Sequence, residues 1–257
     1  MKFSTLSLAA VMSLAAAGAF AQAKAPEPDY TLSFNVGAVT DYRFRGLAQT
    51  ARKPAIQGGV DFSHKSGIYL GAWGSNVKWI KDFNLATKGS LEVDLYGGYK
   101  GSIAGDLGFD LGAIAYRYPG NNSGAAGTPG AGTLSNANTT EVYGALTYKM
   151  FTAKYSRSTG NFLGFLTSEG SDYFDLSAAF DVGNGFTVTP HVGVQKVKNN
   201  PNYDYTDYSL TVAKDLGNGL SVSGAVVGTN AKKAFYTDVN GKFLGNGALV
   251  LGLKYSF

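Results

Sequence analysis

Several side chains in this 257-residue chain have types and spacings that could do chemistry. Glu92 and Asp94 stand two residues apart, which could suit a carboxylate dyad or a calcium site. Asp41, Arg43 and Arg45 alternate in the run Thr40-Asp41-Tyr42-Arg43-Phe44-Arg45-Gly46, where guanidinium groups could clamp an anionic group on a solute. His64 and His191 are the two histidines, and His64 has Ser63 and Ser66 nearby, the raw material of a nucleophile and its base. Each has a plainer reading. The Glu92 to Asp94 spacing follows from strand alternation alone. His64 falls in a tight turn with no pocket to exclude water. His191 has Gly193 next on its face and no hydroxyl, so a satisfied interior histidine is preferred to a catalytic one. The Asp41, Arg43 and Arg45 set also reads as an interior ion-pair network that locks a wall or pins a loop, and that reading is preferred to a clamp. The Gly-rich stretch 118–132 lacks the lysine and the strand-to-helix context of a phosphate loop and reads as a flexible external loop. With no cysteine there is no disulfide framework and no thiolate metal site. No catalytic residue, cofactor or metal is assigned, and an enzyme is not expected.

The elements that position these groups are strands. Large apolar side chains recur at every second position, which puts them on one face of a strand. Leu32, Phe34, Val36, Ala38, Tyr42 and Phe44 share one face of the first, with Asp41, Arg43 and Arg45 on the other. Leu91, Val93, Leu95 and Tyr99 oppose Glu92, Asp94 and Lys100. Residues 68–76 alternate poorly, because Leu70 and Trp73 are both large. The chain ends on Leu249, Leu251, Leu253, Tyr255 and Phe257, alternating with Val250, Gly252, Lys254 and Ser256. A ridge this apolar must be covered, and in a secreted bacterial chain the cover is lipid. The pattern gives about 12 strands, an even number as single-chain bacterial barrels require. Asp181-Val182-Gly183-Asn184-Gly185-Phe186 and Asp215-Leu216-Gly217-Asn218-Gly219-Leu220 are near copies whose Asn-Gly pairs suit hairpin turns. The other connections, 46–53, 78–90, 118–138, 158–171, 197–204 and 231–247, are longer. Short turns on one side and long loops on the other predict an all-β antiparallel transmembrane barrel with short periplasmic turns and longer extracellular loops.

The N-terminus agrees with that compartment. Met1-Lys2, the apolar run Leu6 to Ala19 and the small residues before Gln22 read as a secretory signal peptide cleaved after Ala21. The run is about 14 residues, short of the ~20 that a membrane helix needs. Residues 1–21 are therefore set apart from the fold, 22–29 are expected as a short periplasmic segment, and 30–257 as one barrel domain. The localisation expected is the Gram-negative outer membrane. Leu251, Leu253, Tyr255 and Phe257 are expected as the insertion signal read by the barrel-assembly machinery. The net charge of +4 comes from scattered Lys and Arg with no basic helix, so nucleic acid is not an expected partner. Loop residues such as Arg52, Lys53, Lys78, Lys81, Lys88, Lys198 and Lys232 could meet lipopolysaccharide phosphates, or be ordinary solvated charge.

If the apolar ridges face lipid, the alternate positions face a lumen. For 12 strands the backbone diameter is roughly 24 Å and the gap between opposing side chains ~10 Å, which suits small solutes or a packed interior. The lumen and selectivity candidates are Asp41, Arg43, Arg45, Asp61, Glu92, Asp94, Asp110, Glu141, Lys154, Asp175 and His191. With Asp181 and Asp207 added, acids exceed bases, which predicts a mild cation preference. Inward Gly37, Gly59, Gly98, Gly112 and Gly193 lean toward open space. The function expected is passive passage of small polar solutes, with a non-conducting barrel of structural, adhesive or sensing role as the alternative.

Thr40 to Gly46, Trp73-Gly74-Ser75-Asn76-Val77, Leu91-Glu92-Val93-Asp94-Leu95-Tyr96 and Tyr118-Pro119-Gly120 resemble the TorF family of proteobacterial porin-like proteins, over residues from about 30 to 257. Its members usually carry Ser or Thr two residues after that Gly; Ala48 stands there instead. The resemblance implies an outer-membrane barrel and carries no substrate, cofactor or catalytic set.

Overall fold

The structure is a computed structural model that describes residues 28–257. The expected signal peptide lies outside the described residues. Twelve antiparallel strands close on themselves. They are β1 (Tyr30–Val39), β2 (Ala55–His64), β3 (Ile68–Asn76), β4 (Leu91–Ala104), β5 (Leu107–Arg117) and β6 (Thr139–Tyr148). Then follow β7 (Phe151–Ser158), β8 (Asp172–Ala178, resuming as Phe180–Gly183), β9 (Phe186–Lys196), β10 (Tyr205–Gly217), β11 (Leu220–Thr229) and β12 (Ala248–Ser256). Every strand pairs with its sequence neighbours, and β12 pairs with β1 in the register Tyr255 to Val36 and Leu253 to Ala38. The Phe257 amide and carbonyl exchange hydrogen bonds with those of Phe34 at 3.0 and 2.8 Å, closing the seam to the last residue. Closure satisfies every strand's backbone groups and leaves no edge, the condition for crossing a lipid layer with strands.

The expected alternation holds on the wall. Leu32, Leu70, Leu95, Leu111, Leu146, Leu176, Leu210, Val226 and Leu251 all face outward and are exposed. A soluble protein would not leave such a continuous apolar belt uncovered. Near the tight turns the belt becomes aromatic: Tyr30 stacks on Phe62, Phe34 on Phe257, Phe257 on Tyr255, and Tyr99 lies against Phe109. Aromatic rings gather where a bilayer meets water. Both termini of the barrel and these turns lie at one end. The six long connections, 40–54, 77–90, 118–138, 159–171, 197–204 and 230–247, lie at the other.

Three expectations need correction. Tyr42 and Phe44 do not continue the lipid face; β1 ends at Val39 and the chain turns into the barrel. Asp181 does not face the lumen. It is exposed at the β8–β9 turn and accepts a hydrogen bond from the Gly183 amide at 2.9 Å. The inward glycines are not open space either. A Cβ on Gly98 would lie 2.6 Å from the Tyr69 hydroxyl, and one on Gly112 2.6 Å from that of Tyr143. At Gly98, Gly112 and Gly193 tyrosines from neighbouring strands fill the missing side chains and thicken the inner wall.

Candidate functional site: the lumen and its inward-folded hairpin

The site is made by the first long connection. Arg43–Phe44 pairs with Leu47–Ala48 as a small hairpin inside the barrel, with Arg45 and Gly46 as its two-residue turn. Both turn residues have positive φ, 47° and 80°, as a tight primed turn requires. Glycine is needed at 46 for room as well: a Cβ there would lie 2.5 Å from Thr229 Cγ2 and 2.7 Å from Asp207 Cβ.

Arg45 is the deepest anchor. Its guanidinium donates to both oxygens of Glu141 on β6 at 3.0 and 2.6 Å, and to Gln195 Oε1 on β9 at 2.8 Å. It also lies 4.1 Å from the centre of the Tyr173 ring, 4.8 Å from Phe44 and 5.6 Å from Phe162. Burial works against this charge, but the Glu141 carboxylate more than compensates, so the guanidinium holds its proton more firmly than a free arginine. Tyr42 is the second anchor. Its hydroxyl donates to Glu92 Oε1 on β4 at 3.0 Å, and its ring meets Trp73 of β3 edge-on at 5.4 Å. Burial, reinforced by the charges of Glu92 and Asp94, pushes the Tyr42 phenol well above its ordinary range. Phe44 packs edge-on against Tyr116. Arg43 is held by Asp41 at 2.7 Å and donates to the carbonyls of Leu244 and Asn246 in the last loop. Burial raises the Asp41 carboxyl above its usual range, against the pull of Arg43.

Loop side chains pack around this hairpin in three buried clusters. Val77, Trp79, Ile80, Ala86, Tyr118 and Ala137 form one buried cluster, Phe162, Phe165 and Val197 a second, and Tyr205, Ala231 and Tyr236 a third. Loop 118–138 joins these clusters through Tyr118 and Ala137 and through a bridge between Leu134 and Phe165.

The remaining lumen candidates divide by depth. Asp41, Arg43, Arg45, Glu92, Asp94 and Glu141 gather around the hairpin in the loop-side half. One oxygen each of Glu92 and Asp94 is buried with no hydrogen-bond partner. Asp175, His191 and Asp207 form a second group, with Asp175 Oδ2 2.6 Å from His191 Nε2 and the Tyr173 hydroxyl donating to Asp207 at 3.1 Å. Asp61 and Asp110 stand apart, each accepting from a tyrosine, Tyr96 at 2.5 Å and Tyr69 at 2.6 Å. The Lys154 ammonium sits 3.7 Å above the Tyr143 ring. Among the described residues no group of three or more acids and histidines has the arrangement of a metal site. Leu251, Leu253, Tyr255 and Phe257 stay on the outer face.

A family model described as a bacterial protein of unknown function, Gcw_chp, matches residues 22–257. The chain belongs to this family. Among curated proteins, no sequence matches it. Among solved structures, the KdgM porin in complex with disordered oligogalacturonate superposes with a TM-score of 0.54 at 6% identity, over 88% of this chain and 99% of that one. The NanC porin gives 0.54 at 9% identity, again over 88% and 99%. At such identities the likeness shows the fold: this Gcw_chp barrel has the architecture of outer-membrane porins.

Sequence reasoning missed Tyr173, Phe162 and Gln195, the receiving groups around Arg45. It did register the anomaly at Trp73, whose bulk on the polar face has its partner in Tyr42. The Arg45-Gly46 turn, reached after Val39 with no apolar residue at 40, was the other available signal.

Proposed function

We propose that this protein is an outer-membrane porin-like channel for the passive passage of small polar solutes, exported through a cleaved signal peptide. The observation that carries this reading is a closed barrel with an apolar outer belt and an inner wall lined by charges and tyrosine hydroxyls. The resemblance of residues 40–46 to the TorF family supports the same reading. A mild cation preference belongs to the proposal, supported by the inward Asp61, Glu92, Asp94, Asp110, Glu141 and Asp175. Reversal potentials in a salt gradient measure it, and anion selectivity would refute it. No catalytic role is part of the proposal.

One observation favours a second reading, a non-conducting barrel with a structural, adhesive or sensing role. The hairpin and the loop clusters fill the lumen's outer half, leaving Glu92, Glu141, Gln195 and Asp207 almost without solvent exposure. Planar-bilayer conductance of the refolded protein, with and without residues 43–48, separates the two. Zero conductance for both chains at all voltages removes the channel.

Two partners belong to the proposal as well. The barrel-assembly machinery would read the C-terminal strand, and lipopolysaccharide phosphates would meet the basic loops. Lysine-to-glutamine replacements at 78, 81, 88, 198 and 232 are expected to reduce lipopolysaccharide co-purification; an unchanged yield counts against the contact.

A further inference from the structure

We propose that Arg45 occupies, from within the chain, a cage that accepts a guanidinium or amine group, and that a small solute carrying such a group competes with it and draws the hairpin out of the lumen. This rests on the channel reading and adds a ligand class and a way of opening.

The cage is the Glu141 carboxylate, the Gln195 amide oxygen and the faces of Tyr173 and Phe162. A carboxylate beside aromatic faces is the combination that suits a planar, weakly hydrated cation. These groups are held in place by partners other than Arg45. The Gln195 amide donates to the carbonyls of Asp172 and Lys196 at 3.1 and 3.2 Å. The Tyr173 hydroxyl donates to Asp207, and that of Tyr116 to Glu141 Oε2 at 3.4 Å. The Phe162 amide donates to Ser168 Oγ at 2.7 Å. A site that keeps its shape without its occupant is preorganised, so a ligand spends little binding energy on ordering it.

The occupant is not relaxed in the same way. Arg45 sits at φ 47°, a left-handed backbone that a residue with a side chain seldom adopts. The two-residue turn itself imposes that φ, at a conformational cost that Gly46 beside it does not carry. Exchange of the Arg45 head for a free guanidinium offers Glu141 and Gln195 the same kind of donors and frees the hairpin from its deepest anchor. The ligand need only prefer the vacated state over the filled one to shift the population.

Agmatine is the probe, with sodium chloride and urea at matched concentration as controls. In planar bilayers, millimolar agmatine is expected to raise wild-type conductance several-fold, the controls to leave it unchanged, and Glu141→Gln to abolish the response. Arg45→Ala, refolded in detergent, is expected to bind agmatine at least ten-fold more tightly than wild type by calorimetry. Should Arg45→Ala fail to fold, Arg45→Lys, which keeps the charge but loses the fork, is expected to respond at lower agmatine than wild type. Agmatine binding in variants that never conduct refutes the channel and leaves the cage standing. Conductance with neither agmatine binding nor an agmatine response overturns the cage and leaves the channel.

Discussion

The Arg45–Glu141 pair makes a double replacement informative. Glu141 is 1% exposed, and Arg45 gives it two charge-assisted hydrogen bonds while giving Gln195 a third. Arg45→Met keeps the length and apolar stem but leaves Glu141 buried without its cation. Glu141→Leu does the converse. Removing one partner of a buried pair costs about 3–5 kcal/mol, because the other charge stays desolvated. Removing both for apolar groups of similar volume is expected to fall within about 1 kcal/mol of wild type, or above it. The coupling between the two sites should therefore be about 5 kcal/mol or more, well beyond the ~0.5 kcal/mol scatter of independent sites. Urea unfolding in phospholipid vesicles reads this, with fluorescence of the two tryptophans as reporter. Trp73 touches the hairpin through Tyr42, and Trp79 lies in the loop cluster above it. A loss under about 1 kcal/mol for both single variants would mean that water reaches Glu141 once the arginine is gone, and the sealed site would be refuted. A double variant as unstable as the two losses added would equally sink the pairing.

Other expectations test the wall and its ends. Leu210→Arg, on the exposed outer face, should cost about 2–4 kcal/mol in vesicles, while Thr211→Arg on the inner face should cost far less; equal losses would mean that the faces are misassigned. Gly112→Ala should destabilise by roughly 1–3 kcal/mol, since its Cβ would lie 2.7 Å from the Gly97 carbonyl and must also displace Tyr143; a neutral effect in urea unfolding would contradict the packed inner wall. Phe257→Ser removes the ring stacked on Phe34 and Tyr255, so assembly into outer membranes should slow, and refolding into vesicles should lose about 2 kcal/mol. Unchanged assembly in cells would remove the insertion-signal role.

The wall was legible because a strand's period is two and a bilayer demands apolar residues on one side. Leu249 to Phe257 alone carried that signal, and the Asn-Gly copies at 184 and 218 fixed which end holds the short turns. The hairpin was not legible for the same reason. Tyr42 and Phe44 keep the two-residue period of β1, and periodicity cannot tell an aromatic facing lipid from one facing Trp73 and Tyr116. The inward glycines misled for a related cause. A glycine in one strand says nothing of the tyrosine on the next, and only the register that sets Gly112 against Tyr143 shows the space is taken. The ion-pair reading of Asp41, Arg43 and Arg45 needed no partner in sequence, but Glu141 and Gln195 lie 96 and 150 residues away.

The charge of the hairpin against that of its seat constrains what an opened lumen could pass. The seat presents Glu92, Asp94, Glu141 and Asp207 from β4, β6 and β10. The hairpin brings Arg43 and Arg45, of which Asp41 neutralises the first. With the hairpin in place the outer half of the lumen is nearly filled and its charge partly balanced. With the hairpin withdrawn, the four carboxylates line a water-filled passage without Arg43 and Arg45, and the inner-wall Lys154 and His191 only partly offset their charge. Rings of carboxylates select cations. The field weakens as salt rises, because the screening length falls from about 30 Å at 0.01 M to about 10 Å at 0.1 M. A chain with residues 43–48 replaced by two glycines should therefore show a larger cation-to-anion permeability ratio than wild type at low salt, and lose most of the difference at 1 M. Glu92→Gln with Asp94→Asn in that background should bring the ratio back toward unity. A deleted chain that conducts anions and cations alike at low salt would show that the seat does not set selectivity, whatever the hairpin does to the conductance.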